Sequence, residues 1–428
     1  MPSSIPEGLA AVDDGLPIIS SIDGPLQARR SLFGQAAVLV IGALSAVQVA
    51  NYTVTMLSVV CLLLVPGFFL MRHRGTDLLP LVLAALGWIS FLASCTVNGV
   101  SVLWPNAVAP AGFSLYLMGF TVLTAGLLDR IALLLSGIAA GTIIFFLVKG
   151  IELTHTGGFL NLWKYGIAQS VTVVVLFGLI TARARPVVPA LALALVGLAS
   201  LGLNFRSHAL VCLLAAAILL VRRYLGSRLR RVWQFALIIL FGLVFAYVMP
   251  IAARAGLFGP ALQRKTLEQE ATDLPIMLAG RTEPPMNITA ILQKPLLGWG
   301  SANDFPPELY TQAEHLGVRM GYPPTFPFEL YWRLPVFDYS ATHSVLFGSW
   351  AEGGVLATLL PLWLLFACLA ITWNNARFGR WAPLALAVAL QGVWDLLYAP
   401  WTYNMLAGHA CIALLFCAVH FRRQPAPP

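Results

Sequence analysis

Long apolar stretches, most of them close to the length of a membrane-spanning helix, run through the whole sequence. A helix needs about 20 mostly apolar residues to cross the hydrocarbon core of a bilayer. The stretches that fit predict helices over 32–49, 53–71, 78–95, 106–126, 131–149, 165–181, 187–203, 208–221, 233–250, 345–371, 382–398 and 403–420. The sequence therefore predicts an all-α polytopic membrane protein with about 12 transmembrane helices.

The composition excludes a water-soluble fold for the chain as a whole. Hydrophobic residues occupy 59% of the 428 positions, charged residues occupy 10%, and the mean hydropathy is +0.81. A soluble domain carries roughly 25% charged residues, because its surface must face water. The net charge of +8 is explained by arginines next to anionic membrane lipids, so no nucleic-acid partner is expected.

The basic residues predict the orientation, because the cytoplasmic loops of membrane proteins are enriched in Lys and Arg. With a cytoplasmic N-terminus, 16 of the 26 basic residues fall in cytoplasmic segments. They are Arg29, Arg30, Arg72, Arg74, Arg130, Arg183, Arg185, Arg222, Arg223, Arg228, Arg230, Arg231, Arg377, Arg380, Arg422 and Arg423. The opposite orientation would place the arginine cluster at 222–231 outside, so both termini are predicted to be cytoplasmic.

These helices define the predicted organisation of the chain. Residues 1–30 form a cytoplasmic tail, 31–250 hold helices one to nine, 251–342 form a large periplasmic loop, 343–420 hold helices ten to twelve, and 421–428 form a second cytoplasmic tail. The first tail carries acidic residues before any basic one, which is not typical of a signal peptide. The six cysteines show no disulfide or metal-binding spacing.

The predicted loop at 251–342 differs in composition from the rest of the chain. It holds nine of the 18 acidic residues and many aromatic residues, which can form a core and so disfavour disorder. Short helices are predicted at about 287–293, before Pro295, and at 308–315, ending at Gly317. The segment 322–339, rich in proline and aromatic residues, is expected at the level of the lipid headgroups.

Arginines at the predicted outer surface are candidates for binding an anion. Arg206 lies alone between two apolar helices, where a charge is more often functional than a simple anchor at the membrane surface. Arg281 precedes the first short loop helix, and Arg254 and Arg264 are further loop cations that could assist. His208 would not share a helix face with Arg206 and is expected to be a hydrogen-bonded packing residue.

His343 is the candidate for a general base. It immediately precedes the tenth predicted helix, and an imidazole can accept a proton near neutral pH. The alternative is a helix N-terminal residue that faces the headgroups. Glu352 would face away from His343 on the same helix, so it is not expected to orient the imidazole. A helix-packing role is expected for Glu352 and for Asp395.

Metal and nucleotide sites are not expected. The predicted outer loops contain no Asp-x-Asp or Glu-x-Asp pair and no convincing group of His, Asp and Glu ligands. The sequence has no phosphate-binding loop of the Walker type. No cofactor is therefore predicted, and the energy for any synthesis would have to arrive in the substrate.

Several segments resemble the O-antigen ligase and polymerase superfamily of bacterial inner-membrane proteins. The run 343–346 (His-Ser-Val-Leu) followed by 352–354 (Glu-Gly-Gly) is similar to its signature, with Ser344 where Asn is usual. The run 294–300 (Lys-Pro-Leu-Leu-Gly-Trp-Gly) resembles its Pro-Leu-x-Gly-x-Gly segment, Arg281 its loop arginine and Arg206 its helix-end arginine. The resemblance covers about residues 190–360 by motif and the whole chain by predicted topology.

The resemblance implies a metal-independent, inverting glycosyltransferase that uses no nucleotide sugar. The implied donor is a polysaccharide on undecaprenyl pyrophosphate, and the implied acceptor is a sugar hydroxyl of the lipid A-core. Lipopolysaccharide would then be completed in the periplasmic leaflet. The residues implied in catalysis are His343, Arg206 and Arg281, and those implied in substrate binding are Arg254, Arg264, Gly298 and Gly300.

Alternatives remain within and outside the superfamily. One large loop and a length of 428 residues are most similar to the ligase, rather than to an O-antigen polymerase or a protein O-oligosaccharyltransferase. A transporter or flippase for lipid-linked glycans is a different class, against which the sequence shows no internal repeat. A binding or scaffolding protein is a third class, favoured if the outer arginines and His343 prove replaceable.

Overall fold

A computed structural model describes residues 24–50, 54–73, 75–149, 158–226, 231–270, 282–332 and 342–420. Within these ranges the secondary structure is almost entirely helical. Helices α1 to α18 are, in chain order, Gly24–Ala43, Met56–Leu70, Gly75–Asn98, Pro105–Thr124, Leu128–Lys149, Gly158–Asn161, Ala168–Thr181, Val187–Gly202, Arg206–Leu225, Arg231–Arg254, Pro260–Glu270, Pro284–Gln293, Pro307–Arg319, Phe328–Trp332, Val345–Ala357, Leu359–Trp373, Ala382–Tyr398 and Tyr403–His420. A short antiparallel pair, β1 (Gln48–Ala50) and β2 (Val54–Thr55), precedes α2.

The lengths and composition of the helices confirm an all-α polytopic membrane protein. Six helical segments among the described residues are long and apolar enough to cross a membrane, or seven if the bent pair α15–α16 counts as one. Shorter apolar helices occur at Gly34–Ala46, Met56–Leu70, Val187–Gly202, Ile239–Arg254 and Met405–His420. They overlap predicted spans, while the total of about twelve transmembrane helices remains a prediction.

The largest hydrophobic core of the bundle lies where α4, α16 and α18 meet α2 and α5. Phe113 and Phe120 of α4 are fully buried there, as are Leu360 and Leu364 of α16. A second cluster joins α7, α8, α9 and α17. Helices α9 and α17 therefore belong to the same packed unit, and this contact matters for the candidate site described below.

Polar contacts tie the ends of neighbouring helices together. At one end, Arg222 Nη2 donates to the carbonyls of Thr372 and Trp373 at 2.8 and 2.9 Å, which satisfies groups that the end of α16 leaves unpaired. At another end of the bundle, the side-chain amide of Asn98, the last residue of α3, donates to Gly298 O at 3.2 Å. This second end is called the loop end, because the segment before α15 packs against it.

The helix predicted over 345–371 is divided in two by a sharp bend. The axes of α15 and α16 differ by 113°. Near the break Gly354 adopts φ 77° and ψ −175°, and a Cβ at this position would lie 2.2 Å from Leu296 O. Only glycine accepts both this conformation and this approach of another backbone.

Donors from elsewhere in the chain pair the carbonyl groups next to the break. Trp299 N donates to Ala351 O at 3.0 Å, and Gly300 N donates to Glu352 O at 2.8 Å. The hydroxyls of Ser94 and Ser90 on α3 donate to the carbonyls of Glu352 and Gly353. An unpaired carbonyl in an apolar medium costs several kcal/mol. The break is therefore stable because α3 and the segment 299–300 supply these donors.

The Glu352 side chain completes the same junction. It is fully buried, and its Oε2 accepts from Asn106 Nδ2 at 2.6 Å and from Trp104 Nε1 at 3.1 Å. Its Oε1 accepts from Ala302 N at 3.0 Å. A carboxylate only accepts hydrogen bonds, so three converging donors suit it. These contacts agree with the packing role expected for Glu352, and they join α4, α15 and the loop.

The described part of the predicted loop has its own core, as its aromatic residues indicated. Phe305, Tyr310, Tyr322, Phe328 and Trp332 are buried together with Met286 and Ala351. The segment 322–332 thus contributes several rings to this core. Residues 333–339 lie outside the described residues, and the expected place of 322–339 at the level of the headgroups stays a prediction. Ala351 belongs to α15, so the core of the loop also packs against the bundle.

Both predicted loop helices are present, although the second ends later than predicted. Helix α12 covers the predicted 287–293, and α13 runs to Arg319 instead of ending at Gly317. Gly317 is buried against the Phe328 ring, and a Cβ there would lie 2.6 Å from it. The left-handed residue after α13 is Gly321, with φ 108°. The glycine at 317 thus serves packing, and Gly321 serves the turn.

We expect Glu352→Ala to destabilise the protein by roughly 3 kcal/mol, because three donors, two of them buried, would lose their acceptor. The measurement is the apparent unfolding temperature of the purified protein in detergent. Glu329→Ala is the matched control, since Glu329 is exposed. Equal unfolding temperatures for the two variants would contradict this account of the junction.

Candidate functional site

His343 and Glu283 form a close pair at the loop end. His343 Nδ1 lies 2.9 Å from Glu283 Oε1. The His343 side chain is 34% exposed and that of Glu283 is 11% exposed. An imidazole that is partly open to solvent and bonded to a nearly buried carboxylate is a common arrangement for a base held in one orientation. The structure therefore gives His343 an orienting acid.

The backbone around His343 places its ring next to Glu283. His343 has φ 44°, a left-handed conformation that is uncommon for a residue with a side chain. The next residue, Ser344, is the N-cap of α15, and its hydroxyl accepts from Phe347 N at 3.2 Å. Ser and Asn are both good N-cap residues. Ser344 therefore supports the start of α15 directly after His343.

Glu283 is held from two sides. It is the N-cap residue of α12, and Trp332 Nε1 donates to the carbonyl of the preceding Thr282 at 2.9 Å. One turn along α12, Asn287 Nδ2 donates to Thr342 O at 2.9 Å. The acid, the residue before the histidine and the loop core are thus fixed to one another. Such support by surrounding groups is what holds a reactive pair in place.

The surroundings of Glu283 are poorly solvated. Tyr322, whose ring is buried in the loop core, has its pKa raised to about 12 by burial and then by the negative charge of Glu283. Glu283 Oε2 is buried and has no hydrogen-bond partner among the residues that the structure describes. Glu283 thus presents its other oxygen, Oε1, to the His343 ring from a nearly buried position.

This geometry determines which nitrogen of a neutral His343 can act as a base. Glu283 in its ionised form can only accept, so Nδ1 carries the proton that it donates. Nε2 then has the lone pair that can remove a proton from a hydroxyl group. When His343 becomes an imidazolium ion, the carboxylate stabilises the positive charge. The pair is therefore suited to general-base chemistry.

Arg206 begins α9 and lies against α11 in the loop. Its Nη2 donates to Thr266 Oγ1 at 2.8 Å and to Leu262 O at 3.4 Å. Arg264 is exposed on the same helix, and Arg254 Nε lies 3.3 Å from Glu270 Oε1 at its end. Arg206 and Arg254 thus both contact α11, and Arg254 is engaged in an ion pair. Arg264 is two positions from both Leu262 and Thr266, so it lies on a different face of α11 from Arg206.

Gly298 and Gly300 lie at the junction with the broken helix. Both have positive φ values, 76° and 81°. A Cβ on Gly298 would lie 2.4 Å from Glu352 O, and one on Gly300 would lie 3.0 Å from Val100 Cγ2. These glycines therefore allow the loop backbone to approach α15 and the region that follows α3. Their substrate-binding role remains a prediction.

Arg281 lies outside the described residues, so the structure gives no position for its side chain. His343 pairs with Glu283, while Arg206 belongs to the group around α11. No direct contact between these two groups occurs among the described residues. Their neighbours Ser344 and His208 both bond to α17, which links the two groups through one helix.

Two features of the site were not predicted from the sequence: the acid Glu283 and the contacts that fix the position of Lys294. Glu283 follows Arg281 by two positions, but its burial cannot be read from the sequence. Lys294 Nζ donates to Asn98 Oδ1 at 2.6 Å and lies 3.8 Å from the centre of the Trp299 ring. An acid two residues after a candidate arginine was the available signal for Glu283.

The chain matches no protein-family model, no curated protein and no solved structure. The resemblance to the O-antigen ligase and polymerase superfamily therefore stays a prediction from motifs.

We expect Gly298→Ala to destabilise the junction more than Gly259→Ala. Both glycines have positive φ, so both changes carry a backbone strain of about 1–3 kcal/mol. A Cβ at Gly259 would have nothing within 4 Å, whereas one at Gly298 would meet the Glu352 carbonyl. Thermal unfolding and the rate of proteolysis in the loop measure the difference. Equal effects would show that close backbone approach at Gly298 is unimportant.

Proposed function

We propose that this protein is a glycosyltransferase that acts on a lipid-linked glycan at a membrane surface. The observation that carries the proposal is the His343–Glu283 pair, a supported base at the end of an apolar helical bundle. In the specific form that the motifs favour, the enzyme is an O-antigen ligase. It moves a polysaccharide from undecaprenyl pyrophosphate to a sugar hydroxyl of the lipid A-core.

The proposed reaction is one displacement at the anomeric carbon of the donor. His343 Nε2 removes the proton of the acceptor hydroxyl while its oxygen forms the new bond to the anomeric carbon. The bond from that carbon to the pyrophosphate oxygen breaks, and the electron pair leaves on undecaprenyl pyrophosphate. Attack from the opposite face inverts the configuration. His343 later releases the proton to solvent.

Arginines are proposed to stabilise the leaving pyrophosphate. Arg206 stands at the first turn of α9, where the backbone N–H groups of a helix N-terminus also favour an anion. Its guanidinium can bind phosphate oxygens through two parallel hydrogen bonds. Arg281 precedes Glu283 by two positions in the sequence, so it is proposed to act beside the base. Arg264 and Arg254 are proposed to assist from α11 and the end of α10.

The proposed membrane arrangement has about twelve transmembrane helices in a bacterial inner membrane. The loop at 251–342 faces the periplasm, and both termini are cytoplasmic. At the loop end the loop packs against the helical bundle, and this supports a common surface on which the donor headgroup and the acceptor meet. In this arrangement the polyprenyl chain stays in the lipid while its pyrophosphate meets Arg206 near the surface.

His343→Ala should lower turnover by about 10²–10⁴-fold, because the acceptor hydroxyl would lose its base. Glu283→Gln should lower turnover by about 10- to 100-fold, since a charge-assisted hydrogen bond is worth about 1.5–3 kcal/mol. The assay follows transfer from undecaprenyl-pyrophosphate-linked glycan to lipid A-core by purified protein, without nucleotides. Donor binding is measured separately and should change little.

His315→Ala is the matched control for the histidine, since His315 is exposed on α13. Glu308→Gln, also exposed and on the same helix, is the control for the acid. Transfer at the wild-type rate by His343→Ala would remove the base assignment. Loss of donor binding together with transfer would instead make His343 a phosphate ligand.

Arg206→Ala and Arg281→Ala should each nearly abolish transfer and weaken donor binding. Lysine at either position should restore activity only in part, because it keeps the charge and loses the bidentate geometry. Arg319→Ala, at an exposed position at the end of α13, is the control. A chelator should leave the wild-type rate unchanged. A normally folded Ala variant with wild-type transfer would exclude that arginine from the site.

A further inference from the structure

A chain of polar side chains, three of them buried and Gln391 half-buried, crosses the bundle from α7 to α17. The Thr172 hydroxyl lies 3.0 Å from His208 Nε2, and His208 Nδ1 lies 3.4 Å from Gln391 Oε1. Gln391 Nε2 donates to Asp395 Oδ1 at 2.8 Å. Thr172, His208 and Asp395 are all buried. These groups take no part in the proposed chemistry.

The hydrogen bonds in this chain have a defined direction. Because Gln391 gives its amide hydrogen to Asp395, its oxygen faces His208 and requires a donor. His208 Nδ1 must therefore carry a proton. In the neutral ring Nε2 is then an acceptor, to which the Thr172 hydroxyl can donate at 3.0 Å in place of Ala168 O at 2.9 Å. Asp395 thus fixes the tautomer of His208 through Gln391.

Helix α17, which carries Gln391 and Asp395, also contacts Ser344, the residue after His343. Ser344 Oγ lies 3.3 Å from Leu396 O, one of the carbonyls that the end of α17 leaves unpaired. Gln391 and Leu396 are separated by about 7.5 Å along the helix axis. Helix α17 therefore contacts the start of α9, which carries Arg206, and the start of α15, which follows His343.

We propose that α17 sets the separation between Arg206 and His343, and that the chain Thr172–His208–Gln391–Asp395 locks α9 in register for this purpose. Gln391 and Asp395 are thus positioning residues for the anion site. This inference rests on the proposed function, and it adds Gln391 and Asp395 as residues that act on the site through α9. They position the helix that binds the pyrophosphate without touching the reacting atoms.

Helix packing alone does not explain why polar residues form this hydrogen-bonded chain. Apolar residues of similar volume would pack these helices without the cost of burying an acid, and such a replacement is often neutral or stabilising. Polar groups inside a membrane bundle are costly and tend to serve function. Directed hydrogen bonds fix one rotation and one translation of a helix, which apolar contacts specify less sharply.

The test uses Gln391→Leu, which removes both bonds from the middle of the chain. Backbone amide exchange at residues 205–212 reports the start of α9 by mass spectrometry, and it does not depend on activity. We expect faster exchange there. We also expect the Kd for undecaprenyl pyrophosphate and the donor KM to rise about 3- to 10-fold, the loss that one or two hydrogen bonds produce. The kcat at saturating donor should change less.

Two further variants separate positioning from general stability. Asp395→Asn keeps an acceptor oxygen for Gln391 and should restore most of the affinity that Asp395→Leu loses. Thr372→Val removes a buried hydroxyl on α16 that bonds to Cys368 O of its own helix, and it should leave exchange at 205–212 unchanged. A higher donor affinity of Asp395→Asn than of Asp395→Leu supports a hydrogen-bond lock, whatever the unfolding temperature of the Leu variant.

The outcomes keep this inference distinct from the proposed function. Unchanged exchange at 205–212 in Gln391→Leu would overturn the lock, as would equal affinities of the Asn and Leu variants at position 395. If the wild-type protein fails to transfer glycan, the proposed function fails. The exchange experiment then still decides whether the chain holds the start of α9.

Discussion

The docking of the segment 294–302 onto the broken helix is the contact on which the rest of the loop end depends. A helix can be interrupted in an apolar medium only if other groups pair the carbonyls that it exposes. Here Trp299 N and Gly300 N pair two of them, and Ser90 and Ser94 add hydroxyl donors. The Glu352 carboxylate then binds α4 and Ala302 to the same point. Because this junction holds the loop against the bundle, it also holds Glu283 beside His343.

The sequence predicted the elements of the fold better than their connections. Apolar stretches of suitable length indicated the helices, since the bilayer imposes that length. The aromatic residues of the loop indicated an ordered core, and Phe305, Tyr310 and Trp332 form part of one. The bend between α15 and α16 was missed, because it depends on donors from α3 and from residues far away in the sequence. The adjacent glycines at 353 and 354 are compatible with a bend, but two glycines alone do not determine one.

The candidate site was predicted in part. His343 stood out for its place before a helix, and the structure adds Glu283, whose burial and pairing with His343 the sequence did not show. Glu352 was expected to pack and not to orient the base, and its three donors agree with this. Arg206 stood out as an isolated cation, and the structure places it against Leu262 and Thr266 of α11. Burial and long-range pairing decide these features, and a single sequence does not contain either in readable form.

The most direct test of the account is glycan transfer by the purified protein in lipid vesicles. The assay contains undecaprenyl-pyrophosphate-linked glycan and lipid A-core, with no ATP, no ion gradient and a chelator present. We expect lipid A-core to gain the glycan while an equal amount of undecaprenyl pyrophosphate is released. A folded protein that forms no product under these conditions, or that moves the intact lipid-linked glycan across the membrane instead, would contradict the account.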